Sequence, residues 1–478
     1  MRWLAIFLLA ASTAFATTDS DANKIPVTTK SSDARSEFLQ GQDLADRLLL
    51  QQSLAHFDKA IELDPAFASA ELARANASNT AKDFFDHLNK AVSHAGDASD
   101  GEKLLIRANQ AGAQGDTTKQ QQYLEQLLVA YPGDERAQLN MCVFLFGQQE
   151  YSPAIEHCKK ATEIAPTYST PYNNLGYLYR QVEDYPSAEQ AFKKYIELIP
   201  DDPNPYDSYA ELLLKTGRFD DSIAQYRKAL SLNPKFLNSQ FGIASNLLYE
   251  GKADAAAHEL EQMAANADSD GTRRLAYFGL AVVNTDRGRF ADAIHSFNQE
   301  YAVAEKNNDK ASMSADLQAM GNVYLAQKDY DAAAIAFERS LKMGDAADVS
   351  EAVKAAGRLQ YKFDQAAVAI GKKDLRAAKK TAEEYRQGAE SNNNLFQKQQ
   401  AHELLGRIAL AQKDYATAVS ELQQANPQNP MNLWRLAQAY RAKGDSEKAQ
   451  QFEKKAASFN PLLQLPYAAV RLQVKRKA

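Results

Sequence analysis

A stack of paired α-helices is the fold this sequence predicts, and three observations predict it. Four prolines, Pro132, Pro166, Pro200 and Pro234, follow one another at intervals of 34 residues. Each closes a run rich in Lys, Glu and periodic apolar residues, as in "AFKKYIELIP". Helical spacing on both sides of a short turn, repeated at that period, marks a helix-turn-helix array. Glycine (21) and proline (15) are too sparse among 478 residues for an all-β or collagen-like chain. A chain of that length exceeds one ordinary core and has to be modular.

The first element is "MRWLAIFLLAASTAFA", residues 1–16. Arg2 supplies a positive start, Trp3 to Ala11 a short apolar run, and Ala14-Phe15-Ala16 a small-residue cleavage site. That order is expected of a signal peptide, and the run is too short for a membrane span. The mature chain is therefore expected to be exported, periplasmic or secreted. Residues 17–33, "TTDSDANKIPVTTKSSD", are polar and aperiodic and read as a flexible leader. The formal net charge of −6 gives no general affinity for nucleic acid or an anionic membrane.

Repeat units are expected to start near residues 34, 68, 101, 135, 169, 203, 237, 274, 314, 359, 399 and 430, about 12 in all. Units between about 274 and 398 are longer, so the array divides into an N-terminal part (34–270) and a C-terminal part (271–460). A change of geometry is expected near "NADSDGTR", residues 266–273. The ending "NPLLQLPYAAVRLQVKRKA" reads as a capping helix and basic tail, residues 461–478. Leu463, Leu465, Val470 and Leu472 would cover the last repeat, while Arg471, Gln473, Lys475 and Arg476 would face water.

Tyr172-x2-Leu175-Gly176-x2-Tyr179, then Ala188-x3-Phe192, then Pro200, resembles the tetratricopeptide repeat (TPR) in all but its leading Trp. The pattern recurs at Leu317, Met320, Gly321, Tyr324, Ala333 and Phe337, and again at His402, Leu405, Gly406, Ala418 and Leu422. From about residue 100 onward the layout is similar to a family of exported bacterial TPR proteins of unassigned activity. The resemblance implies an all-α solenoid, a right-handed superhelix of A and B helices. Small residues such as Gly176 and Ala188 let the two helices approach, and rings such as Phe192 fill the space around them.

Chemistry is sparse. Cys142 and Cys158 occupy the small position of an A helix and the aromatic position of the B helix that follows. A disulfide between them and a pair of buried thiols are both open readings. None of the seven histidines pairs with another at i, i+4, and H-E-x-x-H, G-x-S-x-G and phosphate-loop motifs are absent. Acidic residues alternate with Lys on helix faces, as solvated pairs do. Neither an enzyme nor a cofactor is indicated.

The resemblance implies that partners meet the second, fifth, ninth, twelfth and thirteenth positions of each A helix. The candidates are Asn173, Tyr177, Arg180, Asn204, Asp207, Glu211, Lys215, Phe241, Ser245 and Tyr249. Amides bond an extended peptide's backbone and rings cover its side chains. Asp207 and Glu211 would repel a terminal carboxylate, which disfavours a chaperone-tail receptor. The expected role is an exported scaffold that binds a protein or peptide and organises an assembly in the cell envelope. The alternatives are a structural component of a polysaccharide or envelope export machinery and, less favoured, an enzyme with an unrecognised site.

Overall fold

Many A helices end where one residue turns left-handed, and in several pairs an aspartate then caps the B helix. Lys328 and Lys413 take φ of 69° and 64°, and Asp329 and Asp414 accept from the backbone N–H of Ala332 and Thr417. This is the physical content of the two "QKDY" segments: a tight reversal, then a capped start. Gly217, Gly288 and Gly444 make the same left-handed turn without a side chain to strain it.

The computed structural model describes residues 23–78, 81–392 and 394–475. The expected signal peptide, residues 1–16, and the last three residues lie outside them. The described residues form helices and no strand. They gather into two compact units that divide between Asp184 and Tyr185.

The first unit holds α1 (Ser32–Asp46), α2 (Leu50–Leu63), α3 (Ala68–Asn76), α4 (Ala81–His94), α5 (Asp100–Ala113), α6 (Thr117–Ala130), α7 (Glu135–Gly147), α8 (Tyr151–Ile164) and α9 (Ser169–Gln181). In this unit the odd-numbered helices are A helices, and α1, α3, α5 and α7 each pack on the B helix that follows. The part of the expected flexible leader from residue 23 onward is instead an extended strap. Its backbone donates from Ile25 to Asp134, from Thr28 to Glu102 and from Lys30 to Asp64, at 2.9, 2.9 and 3.0 Å. Polar sequence was read as freedom; here the polarity is that of a chain whose N–H groups meet carboxylates at helix ends.

Cys142 on α7 and Cys158 on α8 are joined by a disulfide, with Cα atoms 5.4 Å apart. Both are fully buried. The bond stands where other pairs press a ring onto a glycine.

The second unit holds α10 (Tyr185–Leu198), α11 (Pro203–Lys215), α12 (Phe219–Leu232), α13 (Asn238–Tyr249), α14 (Ala253–Asn266), α15 (Asp270–Asp286), α16 (Phe290–Lys306), α17 (Lys310–Gln327) and α18 (Tyr330–Asp345). It continues through α19 (Glu351–Gly371), α20 (Leu375–Ser391), α21 (Leu395–Gln412), α22 (Tyr415–Gln424), α23 (Pro430–Lys443), α24 (Ser446–Ala457) and α25 (Leu465–Lys475). The lengthening expected after residue 274 is present: α15 has 17 residues and α19 has 21. The core is continuous across residues 266–273. Leu260 and Met263 pack in one cluster with Ala276 and Val282.

Glycine at the A-helix contact is there for proximity. A Cβ at Gly321 would lie 2.3 Å from the Phe337 ring. Gly321→Ala should therefore cost about 1–3 kcal/mol through overpacking. Urea unfolding of the variant checks this, and an unchanged midpoint would show that the ring yields without cost.

Candidate functional site

The A-helix face of the second unit is filled by the end of its own chain. After α24 the backbone turns back across α11, α13 and α15. Lys215 Nζ donates to the Phe459 carbonyl at 2.8 Å and stands over the Phe459 ring. The Leu463 N–H donates to Ser245 Oγ at 3.1 Å, and the Leu463 side chain packs among Leu237, Phe241 and Leu260. Tyr467 is fully buried, edge-on to Tyr249 with ring centroids 5.1 Å apart. Arg471 Nε donates to Asp286 at 2.7 Å and another of its nitrogens to the Leu248 carbonyl at 3.0 Å, while its guanidinium lies over the Tyr249 ring. Asp286 has no exposed surface.

The capping helix is thus only partly what was expected. Val470 does pack with Leu433 and Trp434 of the last repeat. Leu463 and Ala468 join the core of α13–α15 instead. Arg471 does not face water: it pairs with the fully buried carboxylate of Asp286, and breaking such a buried pair is costly.

Beyond that contact α25 walls off a cavity of about 690 Å³. Gln318 on α17, Asp364 on α19, Arg407 on α21 and Trp434 on α23 line it, with Leu472 of α25 opposite. Asp364 Oδ1 accepts from both Gln318 Nε2 (2.8 Å) and Gln360 Nε2 (3.0 Å). Burial pushes its carboxyl up to about 7, against the pull of those two amides and of Arg407.

Family profiles for the tetratricopeptide repeat match residues 157–190, 208–271, 272–346 and 409–462. The matched stretches coincide with helix pairs that the structure shows, capped and spaced as described above. This is a tetratricopeptide repeat protein. Two solved structures share the helical pattern over a third of its length. "Crystal structure of MamA protein" is 20% identical, with a TM-score of 0.30, covering 34% of this chain and 88% of that one. "Crystal structure of MamA" is 21% identical, also at 0.30, covering 32% and 91%. Neither likeness is close enough to argue from. No curated protein matches.

In TPR terms the tail is read by one column of the array. Lys215, Tyr249 and Asp286 are the thirteenth positions of successive A helices, counted from 203, 237 and 274. They meet Phe459, Tyr467 and Arg471 in turn. Asp286 was missed in the sequence because the positions were followed only as far as the unit at 237. One more step down the column would have found it.

The other expected residues have separate settings. Asn204 Oδ1 accepts from Tyr195 Oη at 3.1 Å. Asp207 accepts from Ser239 Oγ at 2.6 Å, and burial together with the charge of Glu211 raises it to about 7. These contacts tie neighbouring TPR helices together. Phe241 is a core residue. In the first unit Asn173 is buried and its Oδ1 has no hydrogen bond. The Arg180 guanidinium lies 4.7 Å from the centre of the Tyr177 ring, and both side chains are half-buried. Val143 holds the same ninth position on α7 as Tyr177 on α9 and is 49% exposed; it was not among the expected contacts. The second positions, Arg136 and Thr170, are taken by the end of α1, where Asp46 accepts from both at 2.5 and 2.7 Å.

Arg471→Ala breaks the ion pair of a buried carboxylate and should cost about 3–5 kcal/mol, measured by urea unfolding; a loss below 1 kcal/mol, taken as roughly a surface pair's worth, would contradict the burial argument. The raised carboxyls have a second consequence. A group with a folded pKa above its unfolded value stabilises fully below the unfolded value, 3.8 for Asp364, and loses that contribution as pH rises through about 7. Because both glutamine amides fall on Oδ1, Asp364→Asn can keep them. Its melting temperature should change less than the wild type's between about pH 5 and pH 8. An equally steep variant would assign that pH dependence elsewhere.

Proposed function

We propose that this TPR protein is an exported scaffold that holds a segment of a partner protein against the A-helix face of its first unit, and so organises an assembly in the cell envelope. One observation carries the reading: in the second unit the same kind of face already holds a peptide segment, the chain's own. Side chains at groove positions meet that segment's backbone, and rings and an ion pair meet its side chains. A TPR face of this composition therefore has the chemistry to read a peptide.

With the second unit's face filled, the partner surface falls to Val143, Tyr177 and Arg180. An exposed aliphatic side chain beside an arginine-backed ring suits a segment that offers one apolar residue and one acidic one. Export is supported by the leader sequence and by the Cys142–Cys158 disulfide, since such bonds persist in oxidising compartments. The role is binding, and no residue is assigned to catalysis.

Crosslinking in native cells with Tyr177→Ala and Arg180→Glu combined should lower partner recovery at least about tenfold, the effect of roughly 1.4 kcal/mol. Unchanged recovery removes this face from the reading, and loss of a polysaccharide in place of a protein favours the export-machinery alternative. Alkylation before lysis tests the compartment in the same cells. The chain should be found outside the cytoplasm, lacking residues 1–16, with both cysteines protected; a cytoplasmic chain with reactive thiols would refute export.

A further inference from the structure

The cavity behind α25 contains a cation that its surroundings do not satisfy. Arg407 carries five N–H donors in a planar fork. Among the described residues its one ionic partner is Glu403, at 3.5 Å, too long for a good hydrogen bond. That carboxylate is already engaged: Oε1 accepts from Arg435 at 2.8 Å and Oε2 from Asn429 at 3.3 Å. Two guanidinium groups therefore share one carboxylate at the wall of a space of about 690 Å³, within the usual range for small-ligand sites.

Asp364, the other carboxyl on this wall, does not supply the missing charge. Its Oδ1 accepts from two glutamine amides, and its pKa near 7 leaves it partly protonated at neutral pH. Arg407 itself is held down to about 10 by burial and by the charge of Arg435, the sign of a guanidinium short of negative charge. The rest of the cavity lining includes apolar and aromatic residues, among them Phe363, Met431, Trp434 and Leu472.

We propose that this cavity is a receptor for a small organic monocarboxylate, its carboxylate on Arg407 and its apolar body against Trp434 and Phe363. Asp364 and Glu403 limit the charge the site accepts. A dianion such as phosphate would meet two carboxyls within the same wall, whereas a single negative charge completes the pairing of two arginines with two anions. α25 sets the size limit, because Leu465, Ala469 and Leu472 close the side that a bare TPR face would leave to solvent. The proposal rests on the second unit alone, so its failure leaves the partner face of the first unit untouched.

Trp434 is the only tryptophan besides Trp3, so the emission of the chain lacking residues 1–16 reports directly on the cavity. Titration with N-acetyl-phenylalanine should give a saturable change, and its amide should bind at least about tenfold more weakly, as expected when a charge-assisted contact is lost. Arg407→Gln, shown by its melting curve to be folded, should bind the acid no better than the amide. The wild-type contrast between acid and amide stands even if that variant unfolds. A wild type that shows no saturable response to the acid, equal affinity for acid and amide, or tighter binding of inorganic phosphate would each overturn the proposal.

Discussion

The whole array depends on one contact: a small residue on an A helix lying beneath a large side chain of the B helix that follows it. Gly321 under Phe337 and Gly406 under Leu422 are two instances. Without the small partner the helices stand apart and the ring has nowhere to go. With it, each pair becomes a thin wedge with apolar faces that it cannot bury alone, and stacking on the next pair follows. Period, cap and turn all serve to bring these two positions together once per repeat. In the pair α7 and α8 the same two positions are occupied by Cys142 and Cys158, and a covalent bond replaces the packing.

That dependence explains what could be read from the sequence. Repeat starts were legible because the small position, the ring and the proline each have a distinct chemistry and a fixed spacing; α3, α7, α9, α11 and α23 begin at the residues expected. Even the longer helices of the second unit were visible, as extra turns between recognisable markers. The disulfide was open between two readings, since spacing brings two cysteines into one core without fixing the distance between their backbones.

What was illegible involves contacts that no repeat encodes. The strap at residues 23–31 looks like a solvated leader because its apolar content is low, yet its N–H groups are held by Asp134, Glu102 and Asp64. The destination of the last helix was misjudged for a related reason. An amphipathic segment after the final repeat can cover that repeat or fold inward, and its own pattern serves both. The deciding residue was Asp286, a buried acid 185 residues before Arg471 and ion-paired with it. The candidate surface narrowed with it, from α9, α11 and α13 to α9, with Val143 of α7 added.

The returning tail also changes how this array has to assemble. A repeat protein normally closes its contacts between neighbours, so that folding can begin anywhere and spread. Here Leu463 bonds to Ser245, 218 residues earlier, and Arg471 to the carbonyl of Leu248, 223 residues earlier. Loops of that length raise contact order sharply, and contact order slows folding. During synthesis the inner face of α13 and α15 must wait, with Asp286 lacking its Arg471 pair, until residues 459–471 leave the ribosome. Completion of the second unit is consequently a single late event, and a chain that stops short of α25 would leave an apolar trough open beside a buried carboxylate that has lost its arginine.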